Sequence, residues 1–137
     1  MAIEYQGNAR GVLLTLDQDA QRVLEEIRDF GPYRGLNLAA ILLSILTAGK
    51  WPPQWDIAFH YQHGNVYWVP CYVWQKLGEY AESADISIPS QIRRMIHDER
   101  HYTVEERQPP IYVRTSHLER MTHESSRTYQ PGSRYCN

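Results

Sequence analysis

The sequence predicts a small α+β domain with a polar tail, and three observations lead to that prediction. The chain has 137 residues, which is the length of one ordinary domain. Short apolar segments typical of strands are interspersed with longer segments of helical periodicity. A β-hairpin signal lies near the middle of the chain. We therefore expect a single domain over residues 1–115, followed by a polar C-terminal tail over residues 116–137.

The N-terminal third predicts a strand followed by two helices. Residues 11–16 form a short apolar run typical of a strand, and Asp17 is placed to cap a helix. Asn37 is placed to cap a second helix that stops at Gly49. This second helix is apolar on nearly every side, so it needs cover either from the rest of the domain or from a second copy of the chain. The apolar face of the first helix consists of Ala20, Val23, Leu24, Ile27 and Phe30.

The middle of the chain predicts a β-hairpin with strands over residues 57–61 and 66–69. The Gly-containing turn 63–65 separates the two runs. Further along, residues 73–80 predict a short helix, and residues 91–102 predict a clearer one capped by Ser90. Residues 111–113 are interpreted as one more strand.

Composition and charge exclude several classes of protein. The formal net charge is −2, so the chain lacks the strongly basic character of a dedicated phosphate-backbone binder. Two cysteines, Cys71 and Cys136, are too few for a disulfide framework, and reduced thiols are expected. Residues 1–8 contain no basic region followed by an apolar run, so no secretory signal is expected, and the longest apolar stretch, residues 36–48, is too short to span a bilayer. A cytoplasmic location is expected.

The aromatic residues suggest a contact surface. The chain has ten Tyr and four Trp but only two Phe, and Tyr and Trp combine an apolar body with a polar tip that suits interfaces. The alternative is that several tyrosines cap a thin sheet. All eight basic residues after residue 85 are Arg, which favours recognition of carboxylate or phosphate. The residues expected to bind a partner are Tyr61, Tyr67, Trp68, Tyr72, Trp74, Arg93, Arg94 and Arg100.

Two histidines four residues apart, His97 and His101, suggest a metal site, because side chains at that spacing share one helix face. The segment resembles the zincin pattern, although Asp98 stands where that family has its glutamate base. The resemblance implies a small metal-dependent hydrolase, but no third ligand is evident. His60, His63 and Cys71 form a second cluster, whose spacing fits no compact zinc module.

The strand, helix and helix of the N-terminal third are together similar to the ribbon-helix-helix DNA-binding dimers. The similarity implies a regulator whose strand reads the major groove, and a second copy would cover the apolar helix. The outward residues would be Gly11, Leu13 and Thr15, of which only Thr15 can hydrogen-bond a base.

The first hypothesis for function is a non-enzymatic interaction or regulatory protein, acting as a homodimer, that binds a larger macromolecular partner, chiefly a protein. No phosphate loop, nucleophile elbow or dinucleotide fingerprint is present, so the sequence leans away from an enzyme and predicts no cofactor. A DNA-binding regulator and a metal-dependent hydrolase are the alternatives. Small proteins of mobile elements share this profile of ordinary composition without a catalytic motif, which is an analogy only.

Overall fold

The computed structural model describes residues 2–5, 9–50 and 61–115. The predicted residues 57–60 of the hairpin, His60 among them, lie outside this part, as do the tail 116–137 and Cys136. The described residues form a mixed arrangement of helices and strands, so the predicted α+β class is confirmed.

The strands form one antiparallel sheet in the order β1-β2-β4-β3. In β2, Leu14 is buried on the helical side, whereas Leu13 and Thr15 are exposed on the other side, as the alternation predicts. The strands are β1 (Ala2–Tyr5), β2 (Ala9–Thr15), β3 (Gln62–His63) and β4 (Val66–Pro70).

Helices pack on one side of this sheet. A 3-10 turn, Gly31–Tyr33, lies between the first two, and a π-helical turn, His101–Glu105, continues the last one. Residues 111–115 are also helical, so the strand predicted over 111–113 is wrong. The four longer α-helices of the described residues are α1 (Gln18–Arg28), α2 (Leu38–Leu46), α3 (Cys71–Ala84) and α4 (Ile88–Arg100), and residues 111–115 form a short fifth one.

Side-chain caps set the starts of three helices. Asp17 accepts a hydrogen bond from the Ala20 amide at 2.7 Å, and Asn37 accepts one from the Ala40 amide at 2.8 Å, as the sequence predicts. For α4 the cap is Ser87 rather than the predicted Ser90, because the helix begins three residues earlier than expected.

Helix α2 is the centre of the core. All nine of its residues are buried in the single chain, and the helix contacts α1, α4 and β4. The apolar side chains of α2 are therefore covered within one copy of the chain. The prediction of a homodimer rested on this helix needing cover, and that reason no longer holds.

Two further expectations concern the cellular environment. Among the described residues, no helix combines the length and the apolar character that crossing a bilayer requires. Cys71 is disulfide-bonded in this structure, so the prediction of reduced thiols is wrong for Cys71.

Candidate functional site at the end of helix α4

The two aromatic side chains at the centre of the hairpin belong to the interior. Tyr67 is 1% exposed and Trp68 is 2% exposed. Tyr67 faces the helices, where its hydroxyl donates a hydrogen bond to Gln21 Oε1 at 2.7 Å, and burial raises its pKa to about 12. Trp68 lies across Gly11 on the other side of the sheet, so close that a Cβ on Gly11 would be 2.1 Å from the indole Nε1. The prediction that Tyr67 and Trp68 form a contact face needs correction.

Of the other three aromatic residues of the predicted face, two pack against the core and one is exposed. Tyr72 and Trp74 are partly buried and pack against the core, which is the role that the alternative interpretation gave to such residues. Tyr61 is exposed beside β3. The structure therefore does not bring these aromatic side chains together into one exposed surface.

Two of the three predicted arginines connect α4 to α1. Arg93 pairs with Asp17 at 2.6 Å, and its guanidinium lowers the pKa of that carboxyl group. Arg100 binds both carboxylate oxygens of Glu26 at 3.0 Å. Arg94 is exposed, and no carboxylate among the described residues pairs with it.

The candidate metal ligands turn toward carboxylates on different elements. His97 Nε2 lies 3.1 Å from Asp19 on α1, whereas His101 contacts Glu105 and Glu106 at 2.9 Å each within its own turn. The described part of the chain contains no group of three His, Cys, Asp or Glu side chains that could hold a metal ion. The two histidines thus contact carboxylates on different elements and do not converge on one site.

The strand that the sequence predicts over residues 11–16 corresponds to β2, which lies in the interior of the sheet. β2 is hydrogen-bonded to β1 on one side and to β4 on the other. A ribbon-helix-helix dimer needs this strand free to pair with a second copy, so the chain does not form that arrangement.

A buried carboxylate lies in the last turn of α4. Glu99 is 1% exposed, and its Oε2 accepts a hydrogen bond from the Tyr33 hydroxyl at 2.5 Å and from the Ile111 amide at 3.0 Å. Its Oε1 accepts one from Arg114 Nη2 at 2.6 Å. We call these four residues the Glu99 centre.

The Glu99 centre holds parts of the chain together. Burial and the Glu99 charge raise the pKa of Tyr33 far above its ordinary range, which keeps the hydroxyl protonated as a donor. Tyr33 is fully buried, and the carboxylate has protein partners on both oxygens. The geometry fits an anchor that fixes residues 110–114 against α4 better than it fits a ligand site.

This anchor supports an exposed surface of aromatic and arginine side chains. Tyr102 is 41% exposed and Val113 is 45% exposed, and the Arg114 guanidinium lies 4.8 Å from the centre of the Tyr102 ring. The Arg107 guanidinium lies 5.4 Å from the centre of the Phe30 ring. We call these five residues the α4-end surface.

A backbone hydrogen bond connects the segment that carries Arg107 with the turn that carries Tyr102. The Gln108 amide donates a hydrogen bond to the Tyr102 carbonyl at 2.8 Å, which places Arg107 beside the π-helical turn. Arg107 itself has a φ of 58°, in the left-handed region that side chains other than glycine rarely adopt.

Sequence reasoning missed the Glu99 centre, although a signal was present. Ile92, Ile96 and Glu99 recur at spacings of four and three, which puts the carboxylate on the apolar face of α4. A charged residue on such a face needs a buried partner, and the partners come from distant parts of the sequence.

A depression beside the start of α4 is small. It is lined by Leu14, Asp17, Pro89 and Arg93, among others, and its volume is about 30 Å³. Sites for small organic ligands are about ten times larger, so this depression has room only for a water molecule.

No protein-family model, curated protein or solved structure matches this chain. The fold defines the chain as an α+β protein.

Proposed function

We propose that this chain is a non-enzymatic interaction protein that binds a protein partner through the α4-end surface. The observation that carries the proposal is the exposure of Tyr102 and Val113 together with two arginines whose guanidinium groups lie over aromatic rings. Tyr and Arg are enriched in the centres of protein interfaces, where a flat apolar body and a charged fork are both used.

The anchor beneath the surface strengthens this proposal. Residues that bind a partner well are usually fixed before binding, because ordering a loop costs part of the binding free energy. The Ile111 amide and the Arg114 guanidinium are both fixed by Glu99, so Val113 lies on a segment held at two points. Such a surface is preorganised for contact.

The α4-end surface is a better candidate than the hairpin. Tyr67 and Trp68 would have to leave the interior to reach a partner, and exposing side chains of that size costs several kcal/mol (roughly 2–3 for each). Tyr102 and Val113 are accessible without any rearrangement of the core.

Affinity capture with two variants tests the proposal. The bait is the full chain, and the lysate of the native host is treated with nuclease before capture. Tyr102→Ser with Val113→Ser removes the apolar part of the surface, and Tyr80→Ser is the matched control because Tyr80 has a similar exposure of 43%. Tyr80 lies near the end of α3 that leads into α4, roughly 20 Å along α4 from Tyr102.

We expect one or a few proteins to be captured by the wild type and by Tyr80→Ser, and to be lost with the double variant. Circular dichroism should show all three proteins folded, because exposed side chains contribute little to stability. The proposal fails if the double variant captures the same proteins. Capture that disappears on nuclease treatment would identify nucleic acid as the partner instead.

A further inference from the structure

We infer that Arg107 selects the partner, and that the partner presents an acidic segment of its chain to this residue. The inference rests on the proposed function and adds the chemistry of the partner to it. Three observations on Arg107 point in this direction: a charge without an ion-pair partner among the described residues, a guanidinium that lies over an aromatic ring, and its backbone conformation.

The charge of Arg107 is uncompensated within the part of the chain that the structure describes. No carboxylate there pairs with its guanidinium. The carboxylates on either side of it are already engaged, since Glu105 pairs with Arg100 and Glu106 lies against His101. An incoming carboxylate would therefore meet a cation with which no carboxylate of residues 2–5, 9–50 and 61–115 competes.

Stacking prepares Arg107 to bind such a group. Its guanidinium lies over the Phe30 ring, and a cation–π contact of this kind uses none of the five N–H donors of the guanidinium. That edge matches the two oxygens of a carboxylate, which gives the strongest kind of charge-assisted pair. The neighbouring Tyr102 and Val113 would contact apolar side chains of the same segment.

The backbone conformation of Arg107 supports the same inference. Arg107 follows the π-helical turn in a left-handed conformation, a position where glycine fits without strain. An arginine there makes the folded state less stable than a glycine would. Strain of this kind clusters at functional sites, and here it coincides with an exposed cation, although Ala48 and Asp85 adopt the same conformation.

The test uses a displayed library of random peptides as the probe and the full chain as the target. Arg107→Gly removes both the charge and the backbone strain. Arg107→Gln removes the charge but keeps a residue other than glycine in the left-handed conformation, so the strain remains. The matched control is Asp85→Gly, because Asp85 is an exposed residue with a similar φ of 61° at the opposite end of α4.

We expect selected peptides to be rich in Asp and Glu. Their affinity should fall at least about tenfold with Arg107→Gly and Arg107→Gln and stay unchanged with Asp85→Gly. The Tm of Arg107→Gly should rise by about 2 °C, because relief of strain exceeds the loss of an exposed ring contact. The pairing of weaker binding with higher stability would set Arg107 apart from a structural residue.

Other results overturn the inference. Selection of peptides without acidic residues, or selection of none, would exclude an acidic partner, and so would peptides that bind Arg107→Gln as well as the wild type. A lower Tm for Arg107→Gly would show that Arg107 supports the fold. The capture experiment with the Tyr102 and Val113 variant decides the proposed function separately, since it does not depend on the sequence chemistry of the partner.

Discussion

Helix α4 carries two arginine–carboxylate pairs of the same length in different surroundings. Arg93 and Asp17 are 2.6 Å apart, and so are Arg114 and Glu99. The side chains of the first pair are 45% and 46% exposed, whereas those of the second are 20% and 1% exposed. Since water screens the first pair and hardly reaches the second carboxylate, the distance between the atoms says little about the energetic role of each pair.

The largest expected effect comes from removing the buried carboxylate. Glu99→Ala leaves the Tyr33 hydroxyl, the Ile111 amide and the Arg114 guanidinium without their acceptor. We expect the free energy of unfolding to fall by about 3 kcal/mol, measured by urea denaturation.

Arg93→Gln is the control for that experiment, because it breaks the exposed pair of the same length. Its effect should be several-fold smaller. Equal losses of stability in the two variants would show that burial does not distinguish the pairs, and the Glu99 centre would lose its role as the anchor.

A smaller effect is expected when only one donor of the Glu99 centre is removed. Tyr33→Phe deletes the hydroxyl that donates to Glu99 at 2.5 Å and leaves the ring in place. We expect a loss of about 1.5 kcal/mol in the free energy of unfolding. Hydrogen exchange of the Ile111 amide should become faster if the hydroxyl helps to fix this segment. Unchanged exchange would show that Glu99 and Arg114 hold the segment without Tyr33.

The contrast between the two pairs also explains how much the sequence could predict. The caps Asp17 and Asn37 and the alternation in β2 depend on local chemistry, and the structure confirms them. The Glu99 centre depends on Tyr33, which is 66 residues away in the sequence. No local pattern specifies such a partner, even though the spacing of Glu99 on α4 shows that one is needed.

The strand predicted over residues 111–113 failed for a related reason. Ile111 and Val113 are β-branched and suit a strand on their own. In the fold, the Ile111 amide donates to Glu99, and the Val113 amide donates to the Pro110 carbonyl at 2.9 Å, which begins a helical turn. Tertiary contacts therefore override a weak local preference in this segment.

Alkaline pH offers a milder way to disturb the interior. Burial raises the pKa of Tyr67 from 10.0 to about 12 and raises that of Tyr33 further. Unfolded tyrosines lose their protons near pH 10, so stability that is complete below this pH should be lost as the pH rises toward 12. Urea denaturation at several pH values should show the decrease, and Tyr67→Phe should reduce it. A free energy of unfolding that stays constant up to pH 12 would contradict the raised pKa values of Tyr67 and Tyr33.

The smallest expected effect belongs to the exposed ion pairs around the π-helical turn. Hydrogen bonds from His101 to Glu105 and Glu106 raise the pKa of this histidine above 6.5, and NMR titration of its ring protons should detect the shift. The contribution of this contact to stability is complete below pH 6.5 and is lost as the pH rises through the raised pKa. Glu105→Gln should lower the pKa toward 6.5, because Glu105 is its main cause. An unshifted His101 in the wild type would mean that water competes successfully with both carboxylates, which would separate the exposed pairs from the Glu99 centre even more sharply.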